Sequence, residues 1–174
     1  MLTNFPSALG PSNLKIAAAA LFCFLPMANS ASAATATSTF TVQMTITSSC
    51  VINSTSTLNF SSSQGVLVAN VDATSSVLVQ CTNTTPYNIG LDAGTGTGAT
   101  VTTRKLTNGS NTINYSLYSD SGRSTVWGNT VGTNTVSGTG NGASQSYTIY
   151  GRVPPQTTPA AATYTDTITV TVTY

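Results

Sequence analysis

Strict alternation of apolar and polar residues is the feature that most restricts the fold of this chain. The stretch 39–47 reads TFTVQMTIT, and its apolar side chains occupy every second position: Phe40, Val42, Met44 and Ile46. The terminal stretch 164–174 repeats the pattern, with one apolar face made of Ile168, Val170, Val172 and Tyr174. Such alternation is typical of a strand with one buried face, so each end needs a partner strand and a core to cover.

Shorter segments of the same kind lie between these ends. They are 50–52, 57–60, 76–81, 87–91, 113–118 and 145–153. Polar segments rich in Gly, Thr and Asn, such as 93–100 and 129–144, separate them, and Pro154-Pro155 ends the last of them. No stretch has a helical period with caps. Many short strands joined by such turns predict an all-β sandwich.

Residues 1–33 have the pattern of a secretory signal peptide. Lys15 precedes an apolar run at 16–28, and Ala31-Ser32-Ala33 forms a small-residue cleavage site. The alternative is a retained membrane anchor, which normally needs about 20 apolar residues and therefore a longer run. We expect cleavage after Ala33, export, and a mature chain long enough for one domain.

The remaining chain is almost uncharged. Five basic residues include Lys15, so four basic side chains stand beside four Asp after the leader, and the sequence has no Glu and no His. A neutral surface has no patch to neutralise phosphates, which argues against nucleic-acid binding. It also offers little repulsion between copies, which favours association.

Two cysteines, Cys50 and Cys81, remain after Cys23 leaves with the leader. An even count in an exported protein predicts a disulfide. The alternative, a metal site with two cysteine ligands, lacks the His or Glu that would complete the ligand set.

Catalytic chemistry has little support in this sequence. Nucleophilic triads need a base such as His, and the four Asp residues are scattered along the chain. The Gly- and Thr-rich loop at 94–98 lacks the Lys and the helix of a phosphate-binding loop. We expect no catalytic residue, cofactor or metal. Tyr118, Tyr150 and Trp127 could line a sugar site, although such residues more often form core or cross-strand pairs.

Several stretches resemble the spore coat protein U domain family, which includes the subunits of archaic (Csu-type) chaperone–usher pili. They are Leu117-Tyr118, Val126-Trp127-Gly128, the run 150–154, the terminal 164–174, and the two cysteines. The resemblance covers about residues 38–174 and depends on the order and spacing of these motifs. Phe60-Ser61 departs from the Phe-Gly that is more usual in the family.

The resemblance implies an incomplete immunoglobulin-like β-sandwich that is completed by donor-strand exchange. The donor strand would be residues 34–47, with Phe40, Val42, Met44 and Ile46 entering a neighbouring subunit. The domain would be residues 48–174, and its acceptor-groove edge would be Ile168, Val170, Val172 and Tyr174. The expected partners are a periplasmic chaperone, an outer-membrane usher and other pilins.

The expected product is a cell-surface pilus that supports attachment and biofilm formation. Two alternatives remain open. The protein could be a self-contained secreted spore-coat or surface protein whose first strand folds back into its own domain. It could also be a sugar-binding adhesin module.

Overall fold

The computed structural model describes residues 32–61 and 64–174. The predicted signal peptide therefore lies almost wholly outside the described residues. The chain divides into two units, Met1–Gln43 and Met44–Tyr174. In the first unit, residues 32–43 are exposed and form neither helix nor strand. Within the described ranges there is no apolar helix of membrane-spanning length.

The second unit is built from strands, and its described part contains no helix, which confirms the predicted all-β class. The described strands, in chain order, are β1 (Cys50–Thr55), β2 (Val71–Cys81), β3 (Pro86–Leu91), β4 (Arg104–Asn108), β5 (Asn111–Tyr118), β6 (Val136–Thr139), β7 (Ser144–Val153) and β8 (Val170–Thr173).

The strands form two antiparallel sheets. One has the order β1-β2-β7-β5-β4 and the other β6-β3-β8. The long β2–β7 ladder, from Val71↔Val153 to Gln80↔Ser144, is the centre of the larger sheet. Strand β1 pairs only with β2, and β8 pairs only with β3, so each has one edge without a ladder among the described strands.

The core lies between the inner faces of the two sheets, as alternation requires. Its fully or nearly buried apolar residues include Val77, Val79, Ile89, Leu91, Tyr115, Leu117, Trp127, Ile149 and Val153. Trp127 links the sheets, because its indole N–H donates to the Ile89 carbonyl at 2.8 Å and its amide to the Leu117 carbonyl at 2.9 Å. The expected sandwich is therefore confirmed.

Two local expectations were wrong in extent, and two strands were missed. Residues 57–60 do not form a strand, because the ladder between β1 and β2 ends at Thr55↔Val77. The terminal strand covers only β8 and not 164–174, because its first paired residue is Val170, opposite Leu91, where β3 ends. Strands β4 and β6 were not expected at all. In β4 the buried position is occupied by Arg104, whereas an alternating strand pattern is recognised by apolar residues at its buried positions.

Candidate functional site: an apolar groove between β1 and β8

A groove opens between the chain that follows β1 and the chain that leads into β8. A cavity of about 330 Å³ has residues 55–58 on one side and Asp166, Thr167, Ile168 and Val170 on the other. A second cavity of about 570 Å³ extends towards Leu67, Val153 and residues 158–165. The two share the lining residues Thr57, Leu58, Phe60, Leu106 and Asp166. We call the two adjoining cavities the β1–β8 groove.

The walls of the groove combine polar residues, such as Thr57 and Asp166, with apolar side chains that are incompletely covered. Side chains that are only partly buried while packing on the core include Leu58, Phe60, Val71, Leu106, Ile113, Ile168 and Val170. Phe60 meets the ring of the buried Tyr115 edge to face, with centroids 5.7 Å apart. An apolar surface of this kind beside two unpaired strand edges is a typical site for an added strand.

Two of the four residues predicted to form the groove edge line the groove. Ile168 and Val170 line the smaller cavity. Val172 is partly buried against the core. Tyr174 is 60% exposed and lies outside the core cluster.

The residues predicted to form the donor strand are all strongly exposed. Phe40 and Met44 are each 87% exposed, Val42 is 83% exposed and Ile46 is 76% exposed. Residues 32–49 carry no strand pairing. Exposed apolar side chains at every second position are unfavourable in water, and contiguous exposed apolar surface often marks an interaction site.

Cys50 and Cys81 form a disulfide with a Cα–Cα distance of 4.1 Å. They are also direct partners in the β1–β2 ladder. The bond therefore attaches the start of β1, one of the two strands beside the groove, to the end of its neighbour β2. The even cysteine count predicted this pairing.

A buried arginine in β4 was not singled out from the sequence. Arg104 is fully buried. Its guanidinium donates to the carbonyls of Asp92 (2.8 Å), Val101 (2.7 Å), Leu91 (3.0 Å) and Trp127 (2.8 Å). Burial lowers the pKa of Arg104 from its ordinary value, and nearby Tyr115, Asp92 and Asp166 oppose that change. One feature of the sequence could have pointed to Arg104. Charged residues are rare in this chain, so each one is a candidate for a specific role.

Two aspartates complete this polar network beside the groove. Asp166 accepts the Tyr115 hydroxyl at 2.8 Å and the Thr95 amide at 2.7 Å. Asp92 accepts the amides of Gly94 (3.0 Å) and Thr169 (2.9 Å). Burial, together with the bond to Asp166, raises the pKa of the Tyr115 phenol well above its usual range, so the hydroxyl stays a donor.

The aromatic residues considered as a sugar site do not converge. Trp127 is buried in the core. Tyr118 and Tyr150 face each other as a cross-strand pair between β5 and β7, and the Arg123 guanidinium lies 5.8 Å from the Tyr150 ring centroid. In the part of the chain that the structure describes, no group of three or more His, Cys, Asp or Glu could hold a metal ion. The features of the site that could bind a partner are its apolar side chains and its unpaired strand edges.

Comparison with known proteins agrees with this architecture. The chain is 35% identical over 172 residues to "Protein U" of Myxococcus xanthus, covering 91% of this chain and 93% of that protein. The fold is similar to a chain in the crystal structure of the CsuC–CsuE chaperone–tip adhesion subunit pre-assembly complex from archaic chaperone–usher Csu pili of Acinetobacter baumannii. In that match the TM-score is 0.53 and the identity 24%, over 75% of this chain and 40% of that one.

This chain therefore spans less than half of the structure it resembles, and the likeness concerns the fold. The family comparison is more direct, since the Spore Coat Protein U domain matches residues 36–171, nearly the whole of the described chain. With a 35% identical relative matched along almost its full length, the conclusion is plain. The protein belongs to the Spore Coat Protein U domain family.

Proposed function

We propose that this protein is a structural subunit of an archaic chaperone–usher pilus that polymerises by donor-strand complementation. One observation carries the proposal: the chain has both an unfilled apolar groove and an exposed segment with the pattern to fill one. Strand addition gains affinity from backbone hydrogen bonds and specificity from pockets for alternate side chains.

The segment and the terminal stretch match in length and period. Phe40 to Ile46 and Ile168 to Tyr174 each place four apolar side chains at alternate positions of a seven-residue stretch. A strand of that length extends about 20 Å. Burying such side chains is worth roughly 1.5–3 kcal/mol each. No charged residue occurs between Ala34 and Ile52, so nothing in the segment opposes its burial.

The proposed organisation follows from this match. Residues 1–33 are the leader, 34–47 the donor strand and 48–174 the acceptor domain. A periplasmic chaperone would cover the groove first, and an outer-membrane usher would then exchange the chaperone for the donor strand of the next copy. The similar fold found in a chaperone–tip adhesion subunit complex supports a chaperone partner. The assembled fibre would be extracellular and would serve surface attachment and biofilm formation.

A self-contained coat or surface protein is the second candidate, favoured by the family's description and by the relative "Protein U". Polymerisation separates the two. In the pilus case, the exported chain gives a ladder of stable multimers on an unheated denaturing gel, and a chain lacking residues 34–47 gives none. The truncated chain should still fold with its chaperone and should bind a synthetic peptide of residues 36–47 as a capped monomer.

Matched peptides sharpen this test. A peptide with Met44→Asp should not bind, because a carboxylate would enter an apolar groove. A peptide with Thr45→Asp changes the opposite face and should bind within a few-fold of the unaltered peptide. If the full-length protein stays monomeric while the truncated chain fails to fold even with chaperone, the segment belongs to its own domain and the pilus proposal is wrong.

A further inference from the structure

The groove wall formed by residues 166–169 is not held by a strand ladder. Thr165 exchanges two backbone hydrogen bonds with Thr107, at 2.8 and 3.1 Å. The next regular pairing begins at Val170, opposite Leu91. Between these points the backbone amides of Thr167 and Thr169 donate to carboxylates, at 2.8 Å to Asp166 and at 2.9 Å to Asp92. Apart from one backbone bond, from the Asp92 amide to the Thr169 carbonyl at 3.1 Å, side chains therefore position the wall where the groove is lined by Asp166, Thr167 and Ile168.

Asp166 connects this wall to both sheets. One carboxylate oxygen accepts the amide and the hydroxyl of Thr95, at 2.7 and 2.9 Å, on the loop that follows β3 of the smaller sheet. The other oxygen accepts the hydroxyl of Tyr115 on β5 of the larger sheet, at 2.8 Å. Asp166 also lines both cavities of the β1–β8 groove. A charged acceptor makes stronger hydrogen bonds than a neutral one, so this single carboxylate is an effective anchor.

The loop after β3 is shaped around that carboxylate. Gly94 has a φ of +79°, which a residue with a side chain rarely adopts, and a Cβ there would collide with the Asp166 carboxylate. Arg104 holds the same loop from the core side by binding the carbonyls of Leu91 and Asp92. The carboxylate thus lies in a site prepared by backbone conformation and by a buried cation.

We propose that Asp166 is a positioning residue for the acceptor groove. Its carboxylate, with Tyr115 and Thr95 as partners, fixes the approach to β8 so that Ile168 and Val170 present their side chains to an incoming strand. The inference rests on the proposed strand-acceptor function. Its new content is that a polar network arranges the groove before the strand enters, so that the entering strand does not have to shape it. Arranging a site in advance saves the ordering cost at binding and so raises affinity.

Two measurements test this role on the chain that lacks residues 34–47, a segment that carries no strand pairing and without which the chain cannot fill a neighbour's groove. The first is hydrogen exchange at single amides, and the second is the affinity for a fluorescent peptide of residues 36–47. In Asp166→Ala, protection of the Thr167 and Thr169 amides should fall about tenfold or more, while the β2 and β7 amides keep theirs. Peptide affinity should fall roughly tenfold, as expected for the loss of a charge-assisted hydrogen bond. Asp166→Asn should recover part of both, since an amide oxygen still accepts.

Asp120→Asn is the matched control, because Asp120 also accepts backbone amides, those of Ser124 and Thr125, but lies in an exposed turn. It should leave the exchange of Thr167 and Thr169 and the peptide affinity unchanged. If Asp166→Ala does not fold, Tyr115→Phe removes only the hydroxyl and should still increase exchange at Thr167.

The outcomes are distinguishable. Equal loss of protection in β2, β7 and 166–169 would show that Asp166 only supports overall stability, which overturns the proposal. So would unchanged affinity together with unchanged local exchange. If the chain lacking residues 34–47, with no further change, does not bind the peptide, the strand-acceptor function fails on its own, and local exchange alone decides whether Asp166 positions the wall.

Discussion

Asp92 and Thr169 are hydrogen-bonded to each other in both directions. The Thr169 amide donates to the Asp92 carboxylate at 2.9 Å, and the Asp92 amide donates to the Thr169 carbonyl at 3.1 Å. The first of these bonds uses a side chain where a ladder would use a carbonyl. Together the two bonds extend the pairing between β3 and the terminal strand by one residue beyond the end of the β3–β8 ladder. This residue lies beside the proposed acceptor groove.

Asp92 should make the stability of the domain dependent on pH. Burial opposes its ionisation, but hydrogen bonds from Thr169 and Gly94 and the charge of Arg104 outweigh that effect and hold the pKa of Asp92 below its ordinary value of 3.8. A carboxyl with a lowered folded pKa stabilises the fold above its unfolded pKa. That stabilisation is lost as the pH falls from about 5 towards and below the folded value.

Asp92→Asn should therefore lower the free energy of unfolding at pH 7, by about 1–2 kcal/mol, and should reduce its decline between pH 5 and pH 2.5. Urea unfolding across that range measures both effects. Some decline should persist, because the pKa of Asp72 is also lowered by its hydrogen bond to Arg152. A variant with the full pH dependence of the unaltered chain would contradict the assignment.

Replacing Arg104 should be among the most damaging single changes. Arg104→Met leaves the four carbonyls that it serves without their donor, and we expect a loss of about 3 kcal/mol or more. Arg104→Lys should recover less than half, because an ammonium cannot reproduce the planar fork of donors. Lys105→Met is the control on the same strand, and it should cost less than about 1 kcal/mol. Similar losses at both positions would remove the special role of Arg104.

Gly94→Ala and Gly142→Ala separate backbone strain from collision. Both glycines have φ near +80°, but a Cβ at Gly142 would meet open space and one at Gly94 would meet Asp166. Each change should cost about 1 kcal/mol for the left-handed backbone. Gly94→Ala should cost a further 1–3 kcal/mol or so from the collision. The difference between their unfolding midpoints measures the collision, and equal midpoints would mean that Asp166 moves aside freely.

Val170→Asp should prevent folding or chaperone binding, because Val170 packs on the core and lines the groove, where an unpaired carboxylate is costly. Thr171→Asp, on the exposed face of the same strand, should cost less than about 1 kcal/mol. Thr169 is a poorer control, since a carboxylate there would lie beside Asp92. Yield of folded protein from the periplasm is the measurement. Equal damage from both changes would mean that the two faces of β8 are assigned the wrong way round.

The disulfide should contribute about 3–4 kcal/mol, because it closes a loop with a sequence separation of 31 residues. Intact mass should rise by two hydrogens on reduction of the denatured protein. Cys50→Ser should sharply lower the yield of exported protein, since a domain with an open groove has little stability in reserve. Free thiols in the native protein would contradict this expectation.

Alternation predicted β3, β5 and β7 close to their observed bounds, because each buries one face against the core. It also predicted a strand at 57–60, where the chain is irregular, and it missed β4. Period two reports only that a segment could lie on a half-buried sheet. Whether it becomes a strand depends on a partner of the right length, which residues 57–60 lack. In β4, Arg104 broke the pattern because its charge is satisfied by carbonyls from distant segments.

The sequence by itself determined the class of fold, the pairing of the cysteines that remain after the leader, and the two matching apolar patterns at the ends of the chain. These features depend on the local period of side chains and on residue counts, which need no knowledge of neighbours in space. Only the tertiary structure decided that an apolar groove lies open beside β8, and that Asp92, Arg104 and Asp166 converge next to it. A groove forms where a strand has no neighbouring strand, and a polar network forms where residues that are distant in the sequence come into contact. Neither produces a periodic pattern in the sequence, because both depend on how the two sheets pack.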